Sequence, residues 1–250
     1  MAGVDRTIRG AGPSECAWRE SPWLAELEVA RFGTVVADAS RIIVVSPHPD
    51  DETLGCGGLL FDAVAMGVPV MVCSVTHGER CHSTEGSPAM GAQRQRELMQ
   101  AMAALGVQPS SVVSWAIADG ELARQKDRLR TQLNGIVERT DLLLAPWELD
   151  GHPDHEACGE VAREVARARK LRVLRYPVWG WHWSDPTDVC NGLAAVRAFR
   201  YPLAIGTLTA KSRAIDAFQS QMTEAPGGAK PVLTDAILSR FRRGFEVYLT

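Results

Sequence analysis

Short apolar runs alternate with segments of helical periodicity along most of the chain. Ile42 to Val45 is a continuous apolar run between polar turns, which is typical of a buried parallel strand. Apolar residues at helical spacing follow it and end at Gly67, a natural helix stop. This alternation predicts βαβ units and therefore an α/β, Rossmann-like three-layer fold with a mostly parallel sheet. Further strands are predicted at 68–75, 112–115, 142–145 and 172–176, and further helices at 91–105, 122–139 and 157–168.

The pattern is weaker toward both ends of the chain. Residues 1–40 are predicted to be an N-terminal extension that packs on one core domain at 41–250. The remaining segments lie outside the strand–helix alternation. They are a short helix at 22–32, a long loop at 177–192 and helices near 209–221 and 232–243.

Composition and charge narrow the class of protein. The chain has 250 residues, 46% of them hydrophobic, and a net charge of −3 from 27 basic and 30 acidic side chains. This balance excludes a basic nucleic-acid surface as the organising feature, and it excludes an acidic disordered chain. No apolar run approaches the ~20 residues of a membrane span, and the first residues lack the apolar stretch of a signal peptide. We therefore expect a cytoplasmic protein with no membrane span, no nucleic-acid partner and reduced cysteines; its oligomeric state stays open.

Two clusters of histidine and aspartate each follow a predicted strand. SPHPDDE at 46–52 comes directly after the first strand, and DGHPDH at 150–155 follows the strand at 142–145. Ligands of open parallel sheets bind outside the carboxyl ends of the strands. Both clusters therefore fall at the edge of the sheet where sites are built, and the fold can bring them together.

These residue types suit a zinc site. Zinc accepts imidazole and carboxylate ligands, and a catalytic site uses three of them and keeps one position open. Nearby unligated groups can then serve in acid–base chemistry or support the ligands. The predicted ligands are His48, Asp51 and His155, and the predicted supporting groups are Asp50, His152 and Asp154.

The same residues are also typical of turns. Asp50 or Asp51 could cap the helix that ends at Gly67, and one His-Pro-Asp alone favours that interpretation. Two such clusters, both at strand ends, favour the metal site.

SPHPDDETLGCGG together with DGHPDH closely resembles the PIG-L/LmbE family of zinc-dependent N-acetyl-sugar deacetylases. Weaker family signatures extend the likeness over residues 41–221: THGE at 76–79, Arg94 with Glu97, and Lys211 followed by Ser220-Gln221. The resemblance implies a hydrolase that removes an N-acetyl or related N-acyl group from an amino sugar or its conjugate, a small molecule. It implies that His48, Asp51 and His155 bind one zinc ion, that Asp50 is the general base, that His152 stabilises the oxyanion or acts as acid, and that Asp154 orients His152.

The substrate contacts are less well defined by the sequence. Asp150 stands where one branch of the family, in mycothiol biosynthesis, has a tyrosine that helps the transition state; an ionised carboxylate cannot donate that hydrogen bond. The tryptophan-rich run WGWHW at 179–183 could be a sugar-stacking wall or a packing cluster. Arg94 could face the substrate or lie on a solvated helix face. The predicted substrate-binding residues are Arg94, Asp150, Trp181 and Trp183.

Other functions stay open at this point. An amidase that acts on a thiol-sugar or another amide conjugate would use the same metal site, whereas a binding module would keep only the fold. GCGG at 55–58 imitates a dinucleotide-binding turn of an oxidoreductase, but the full G-x-G-x-x-G is absent. His77, Cys81 and His82 match no familiar zinc spacing and are predicted to be loop residues.

Overall fold

One mixed β-sheet organises the structure, a computed structural model that describes residues 5–8, 10–81, 85–224 and 228–250. His82, predicted to be a loop residue, lies outside the described residues. The strands are β1 (Glu28–Val29), β2 (Arg41–Ser46), β3 (Val70–Ser74), β4 (Val112–Ser114), β5 (Asp141–Pro146), β6 (Arg172–Tyr176), β7 (Ala198–Pro202) and β8 (Phe245–Leu249). The α-helices are α1 (Glu15–Arg19), α2 (Pro22–Glu26), α3 (Phe32–Val36), α4 (Asp51–Ala65), α5 (Pro88–Ala104), α6 (Lys126–Ile136), α7 (Pro153–Arg169), α8 (Gly180–Trp183), α9 (Ile205–Ile215), α10 (Gln219–Met222) and α11 (Asp235–Leu238).

The strand order confirms the predicted α/β fold with a mostly parallel sheet. The order across the sheet is β1-β7-β8-β6-β5-β2-β3-β4. The run from β6 to β4 is parallel throughout, and β1 is parallel to β7. Only β8 runs the other way, because it pairs antiparallel with both β6 and β7.

The sheet has a topological switch point between β2 and β5. The chain leaves β2 through α4 toward β3 on one side, and it leaves β5 through α7 toward β6 on the other side. Ile42 pairs with Leu142 and Val44 with Leu144, so the two strands lie in register. Connections that diverge in this way leave a crevice at the carboxyl ends of the two strands. Each of the two His/Asp motifs begins at that crevice.

The core consists of two apolar clusters, one on each face of the sheet. Ile42 and Val44 of β2 belong to one cluster, with apolar side chains of α4, α5 and α9. Ile43 and Val45 belong to the other, with side chains of α6 and α7. Because successive side chains of a strand point to opposite faces, a strand covered on both sides must be apolar throughout. Cysteines are buried in both clusters, and all six cysteines are free thiols.

The segment before residue 40 packs against the C-terminal part of the chain. Trp18 is fully buried, and its Nε1 donates to the carbonyl oxygen of Trp181 at 3.0 Å. Arg243 donates to both carboxylate oxygens of Glu15, at 3.0 and 2.9 Å from Nε. The predicted division of the chain at residue 40 stays a prediction.

The predicted elements near the chain ends needed the largest corrections. The helix predicted at 232–243 is only the single turn α11, and β7 and β8 were not predicted. Arg240 explains part of this difference, because its Nη2 turns inward to the carbonyl oxygens of Ala11 and Pro13, both at 2.8 Å. Within the described ranges no helix combines the length and the apolar character that a membrane crossing requires. The compartment stays a prediction.

Candidate active site

The loop after β2 is fixed by a buried glutamate. Glu52, fully buried in the first turn of α4, accepts a hydrogen bond from Ser46 Oγ at 2.8 Å and one from Asp50 N at 3.3 Å. Burial raises the pKa of Glu52. The loop is tight enough that Asp50 adopts a φ of 142°, a backbone conformation that non-glycine residues rarely take.

The three predicted metal ligands meet at one point. His48 Nδ1 lies 3.2 Å from Asp51 Oδ2 and 3.3 Å from His155 Nε2, and the last two atoms are 3.2 Å apart. Three donors bound at ~2.0–2.1 Å to a tetrahedral zinc ion would lie about 3.3 Å from one another. The triangle therefore fits a single divalent cation, with the fourth position left for water or substrate.

Asp150 holds His155 in the orientation that this triangle needs. His155 Nδ1 lies 2.8 Å from Asp150 Oδ2, which leaves Nε2 free to face the other two ligands. Asp150 is fully buried and also accepts hydrogen bonds from the backbone N–H groups of Val178, Trp179 and Gly180. The predicted substrate contact of Asp150 is therefore corrected, because both of its oxygens bind other groups of the protein.

The charges around the triangle favour a cation. Although burial opposes protonation, the carboxylates of Asp51 and Asp150 raise the pKa of His155 to about 9. Burial would also raise the pKa of Asp51, but the neighbouring His155 and His48 lower it well below the usual range. A positive charge is therefore stabilised at the centre of the site, either as a proton or as a metal ion.

Asp119 is a buried carboxylate of this site that the sequence analysis did not single out. Its Oδ1 lies 3.1 Å from His48 Nε2, and its Oδ2 accepts the backbone N–H of Arg80 at 2.8 Å. It stands in an Asp-Gly turn that follows β4. An acid beyond the carboxyl end of a strand was the one signal that could have found it.

Asp154 was predicted to orient His152, but its carboxylate contacts a different histidine. Asp154 Oδ2 lies 3.3 Å from His48 Nε2 and accepts the N–H of Gly120 at 2.7 Å. Only the backbone N–H of Asp154 reaches His152, whose Nδ1 accepts it at 3.2 Å. This contact assigns the ring proton of neutral His152 to Nε2. Burial, then the charges of His48 and His155, lower the pKa of His152 to about 3, so the ring is neutral.

Asp50 faces away from the helix and toward an arginine. Its Oδ2 pairs with Arg94 Nη2 at 2.9 Å, and Arg94 also donates to the carbonyl oxygens of Pro49 and Gly78. Burial raises the pKa of Asp50 to about 7, although Arg94 opposes this shift. The Asp50 side chain makes no capping hydrogen bond to α4, which argues against the turn interpretation. Substrate contact by Arg94 stays a prediction.

A cavity of about 280 Å³ lies beside these groups and is lined by His48, Asp50, Asp51, Arg94, Asp119 and His152, among others. The three tryptophans of the run at 179–183 differ in their position relative to this cavity. Trp179 lines the cavity, whereas Trp181 is 4% exposed and packs edge-on against Trp18 with ring centroids 4.9 Å apart. Trp183 stacks on Trp147 at 5.5 Å. α8 thus turns the rings of Trp181 and Trp183 against other tryptophans, and their predicted substrate contacts stay predictions.

Hydrolysis is the chemistry that this crevice can support, since a cation site adjoins a carboxylate whose pKa lies near neutrality. The fold and the site thus define a hydrolase of the Rossmann-like α/β class. Residues 43–166 match the family model described as PIG-L: GlcNAc-PI de-N-acetylase. Residues 43–166 thus form a PIG-L family domain, as the two motifs predicted.

Relatives of known sequence and structure agree with this assignment. The chain is 26% identical over 262 aligned positions to a 1D-myo-inositol 2-acetamido-2-deoxy-alpha-D-glucopyranoside deacetylase of Rhodococcus erythropolis, over 82% of this chain and 88% of the relative. A conserved protein of Thermus thermophilus is 28% identical with a TM-score of 0.56, over 80% and 84%. The A40926 pseudoaglycone deacetylase shares the fold, with a TM-score of 0.64 and 20% identity over 85% and 97%. The prediction of an amide-hydrolysing enzyme of this family is confirmed.

Proposed function

We propose that this chain is a zinc-dependent N-deacetylase that removes an N-acetyl or related N-acyl group from an amino sugar or its conjugate. The donor triangle of His48, Asp51 and His155 carries the metal part of the proposal, with one ion per chain. The inositol-linked substrate named for the Rhodococcus relative supports the amino-sugar part. Two imidazoles and one carboxylate are a ligand set that suits zinc.

Asp50 and His152 can carry the proton transfers. A zinc ion held by the triangle would make bound water acidic and would polarise the amide carbonyl. Asp50 takes the proton as the water oxygen attacks the carbonyl carbon, and its pKa of about 7 suits a base that works near neutral pH. His152 Nε2–H donates to the carbonyl oxygen as negative charge develops there. Asp50 then passes the proton to the nitrogen as the C–N bond breaks, which gives acetate and the free amine.

Arg94 keeps this base in place. The guanidinium contacts Asp50 Oδ2 at 2.9 Å and is anchored on two backbone carbonyl oxygens. The backbone of Asp50 is strained, and its carboxylate is oriented by Arg94. The Asp50 side chain lines the same cavity as two of the proposed ligands, His48 and Asp51, which supports its role as the proton acceptor.

A screen for amine release tests the proposal. The zinc-loaded protein is incubated with N-acetylglucosamine conjugates and, in parallel, with N-acetyl amides that carry no sugar. Release of amine from the sugar conjugates alone supports the proposal, and Asp50→Asn protein serves as the control for contaminating hydrolase. Release only from the amides without sugar favours the alternative, an amidase with the same metal site.

A further inference from the structure

The cavity beside the cation ligands has a polar wall and an apolar wall. The polar wall carries the ionisable groups of the site. Three separate segments build the apolar wall: the first turn of α4, the loop after β6, and α11 together with the residues just before it. Its side chains are Leu54, Val178, Trp179, Val232, Leu233 and Ile237.

Leu54 joins this apolar wall to the reaction centre. It follows Asp51 by three residues in α4, so the two side chains project from the same helix face about one turn apart. Both line the cavity. Leu54 is only 2% exposed and backs this wall, so the partly exposed side chains of Trp179, Val232 and Ile237 are the surface that a substrate can contact.

Hydrogen bonds hold the rest of the wall in place. Val178 N and Trp179 N donate to the carboxylate of Asp150, each at 2.9 Å, and that carboxylate also binds His155. Leu233 N donates to the carbonyl oxygen of Gln221 at 2.9 Å. The apolar wall is thus built into the same framework that orients a predicted metal ligand.

The indole face of Trp179 can stack on a sugar ring, but the aliphatic side chains beside it match a substrate made only of sugar and polyol poorly. Hydroxyl groups pressed against aliphatic side chains lose water and gain no hydrogen-bond partner, which weakens binding. Alkyl or aromatic carbon in the same place removes apolar surface from water on both sides and strengthens binding. The chemistry of the wall therefore selects for carbon without hydroxyls.

We propose that the substrate of this chain is an amphiphilic amino sugar, whose alkyl, acyl or aromatic substituent packs on the apolar wall at Trp179, Val232 and Ile237. The inference rests on the proposed deacetylase function and narrows its substrate class. The apolar group could belong to the glycosidic side or to the acyl side of the amino sugar. Both sources present the same chemistry to the wall, and the experiment separates them.

Three substrates for the zinc-loaded full chain make the comparison. They are the methyl glycoside of N-acetylglucosamine, its butyl glycoside, and the methyl glycoside that carries N-butanoyl in place of N-acetyl. We expect one extended substrate to exceed the methyl N-acetyl compound in kcat/KM by about tenfold or more. If the butyl glycoside is the better substrate, the apolar group belongs to the glycosidic side. If the N-butanoyl compound is better, the apolar group belongs to the acyl side. If kcat/KM for both extended substrates is equal to or lower than that for the methyl N-acetyl compound, the amphiphilic substrate is ruled out and the deacetylase function stands. If none of the three substrates releases amine, both proposals are ruled out.

Two neighbouring residues of α11 give a matched pair of variants. Ile237 is half-buried and lines the cavity, whereas Leu238 is 4% exposed and packs in the core. The specificity ratio is kcat/KM for the better extended substrate divided by kcat/KM for the methyl N-acetyl compound. Ile237→Ser should lower this ratio by about tenfold. Leu238→Ala should lower the melting temperature and leave that ratio as in the wild type. A ratio unchanged by Ile237→Ser, in protein that binds zinc, contradicts the proposal.

Discussion

Asp50 combines a strained backbone with a buried carboxylate. A substitution by Asn removes the carboxylate and tests its chemical role apart from the shape of the loop. Asn keeps the shape and tolerates unusual φ values, but it cannot accept a proton. We expect Asp50→Asn to bind zinc as the wild type does and to lose about 10²–10⁴ in kcat. Metal analysis and steady-state kinetics on the same preparation check this. Turnover near the wild-type rate would mean that the base lies elsewhere.

Asp150 lets the support of a metal ligand be tested without touching the ligand. Asp150→Asn removes the charged acceptor at His155 Nδ1, and such supporting groups are typically worth about 10–100-fold in metal affinity. We expect a zinc affinity lower by that factor, measured by competition with a chromophoric chelator. Trp183→Phe is the matched control, because it removes the hydrogen bond to the Asp150 carbonyl oxygen, keeps an aromatic ring against Trp147 and leaves the Asp150 carboxylate unchanged. An affinity equal to that of the control would contradict the role of Asp150.

The sequence predicted the individual ligand candidates better than their partners. His48, Asp51 and His155 could be predicted because the two motifs begin where neighbouring parallel strands end, so strand order alone brings them together. Asp119 lies outside both motifs and reaches His48 through a turn whose path the sequence does not specify. The carboxylate of Asp154 could not be assigned either, since the rotamer that turns it from His152 to His48 depends on tertiary contacts with Gly120.

At the scale of elements, the glycines of α4 have a structural explanation. Lys211 Nζ donates to the carbonyl oxygen of Leu54 at 2.8 Å, and Glu246 Oε1 accepts the N–H of Gly58 at 2.7 Å. In a regular helix the carbonyl oxygen of Leu54 and the N–H of Gly58 would bond each other, because they are four residues apart. A Cβ at Gly58 would lie 2.4 Å from Leu203 Cδ2 and 3.1 Å from Glu246 Oε1, so a larger residue would push both side chains away from α4. The glycines of the GCGG run therefore let a buried ion pair pack closely against α4, which explains them without a dinucleotide-binding turn.

This ion pair gives a stability prediction for α4. Lys211 and Glu246 are 1% and 3% exposed and lie 2.6 Å apart. Lys211→Met leaves Glu246 as a buried unpaired charge, so we expect a loss of about 3–5 kcal/mol in the free energy of unfolding. The double variant Lys211→Met/Glu246→Gln should lose less than the single variant, because it leaves no buried charge. Urea unfolding measures both, and a single variant within about 1 kcal/mol of the wild type would contradict this account.

The elements themselves could be predicted where both faces of a strand are buried. β2 and β5 match their expected positions because a continuous apolar run has few alternatives. β7 is only partly buried, β8 is buried but includes the charged Glu246, and the two strands pair antiparallel with each other. Their short mixed runs, such as Ala198–Pro202, carry no periodicity that separates a strand from a loop.

At the scale of the whole molecule, Trp181 ties the N-terminal segment to the core. Its ring packs on Trp18, and the Arg243 guanidinium lies 4.3 Å from its centroid while pairing with Glu15. We expect Trp181→Ala to cost about 3–5 kcal/mol of stability, as for other buried large aromatics, with substrate preference unchanged. Thermal melting together with kcat/KM on two substrates decides this. A changed preference with an unchanged melting temperature would restore Trp181 to the substrate wall.

The two His/Asp motifs from neighbouring strands are proposed to build one metal site, and the metal content of single variants tests this. We expect one equivalent of zinc per chain in the wild type and in His77→Ala, a half-buried histidine that bonds Ser114 outside the ligand triangle. In His155→Ala the zinc should fall far below one equivalent, with the fold kept as judged by circular dichroism. Stoichiometric zinc in folded His155→Ala protein would contradict the assignment of the site.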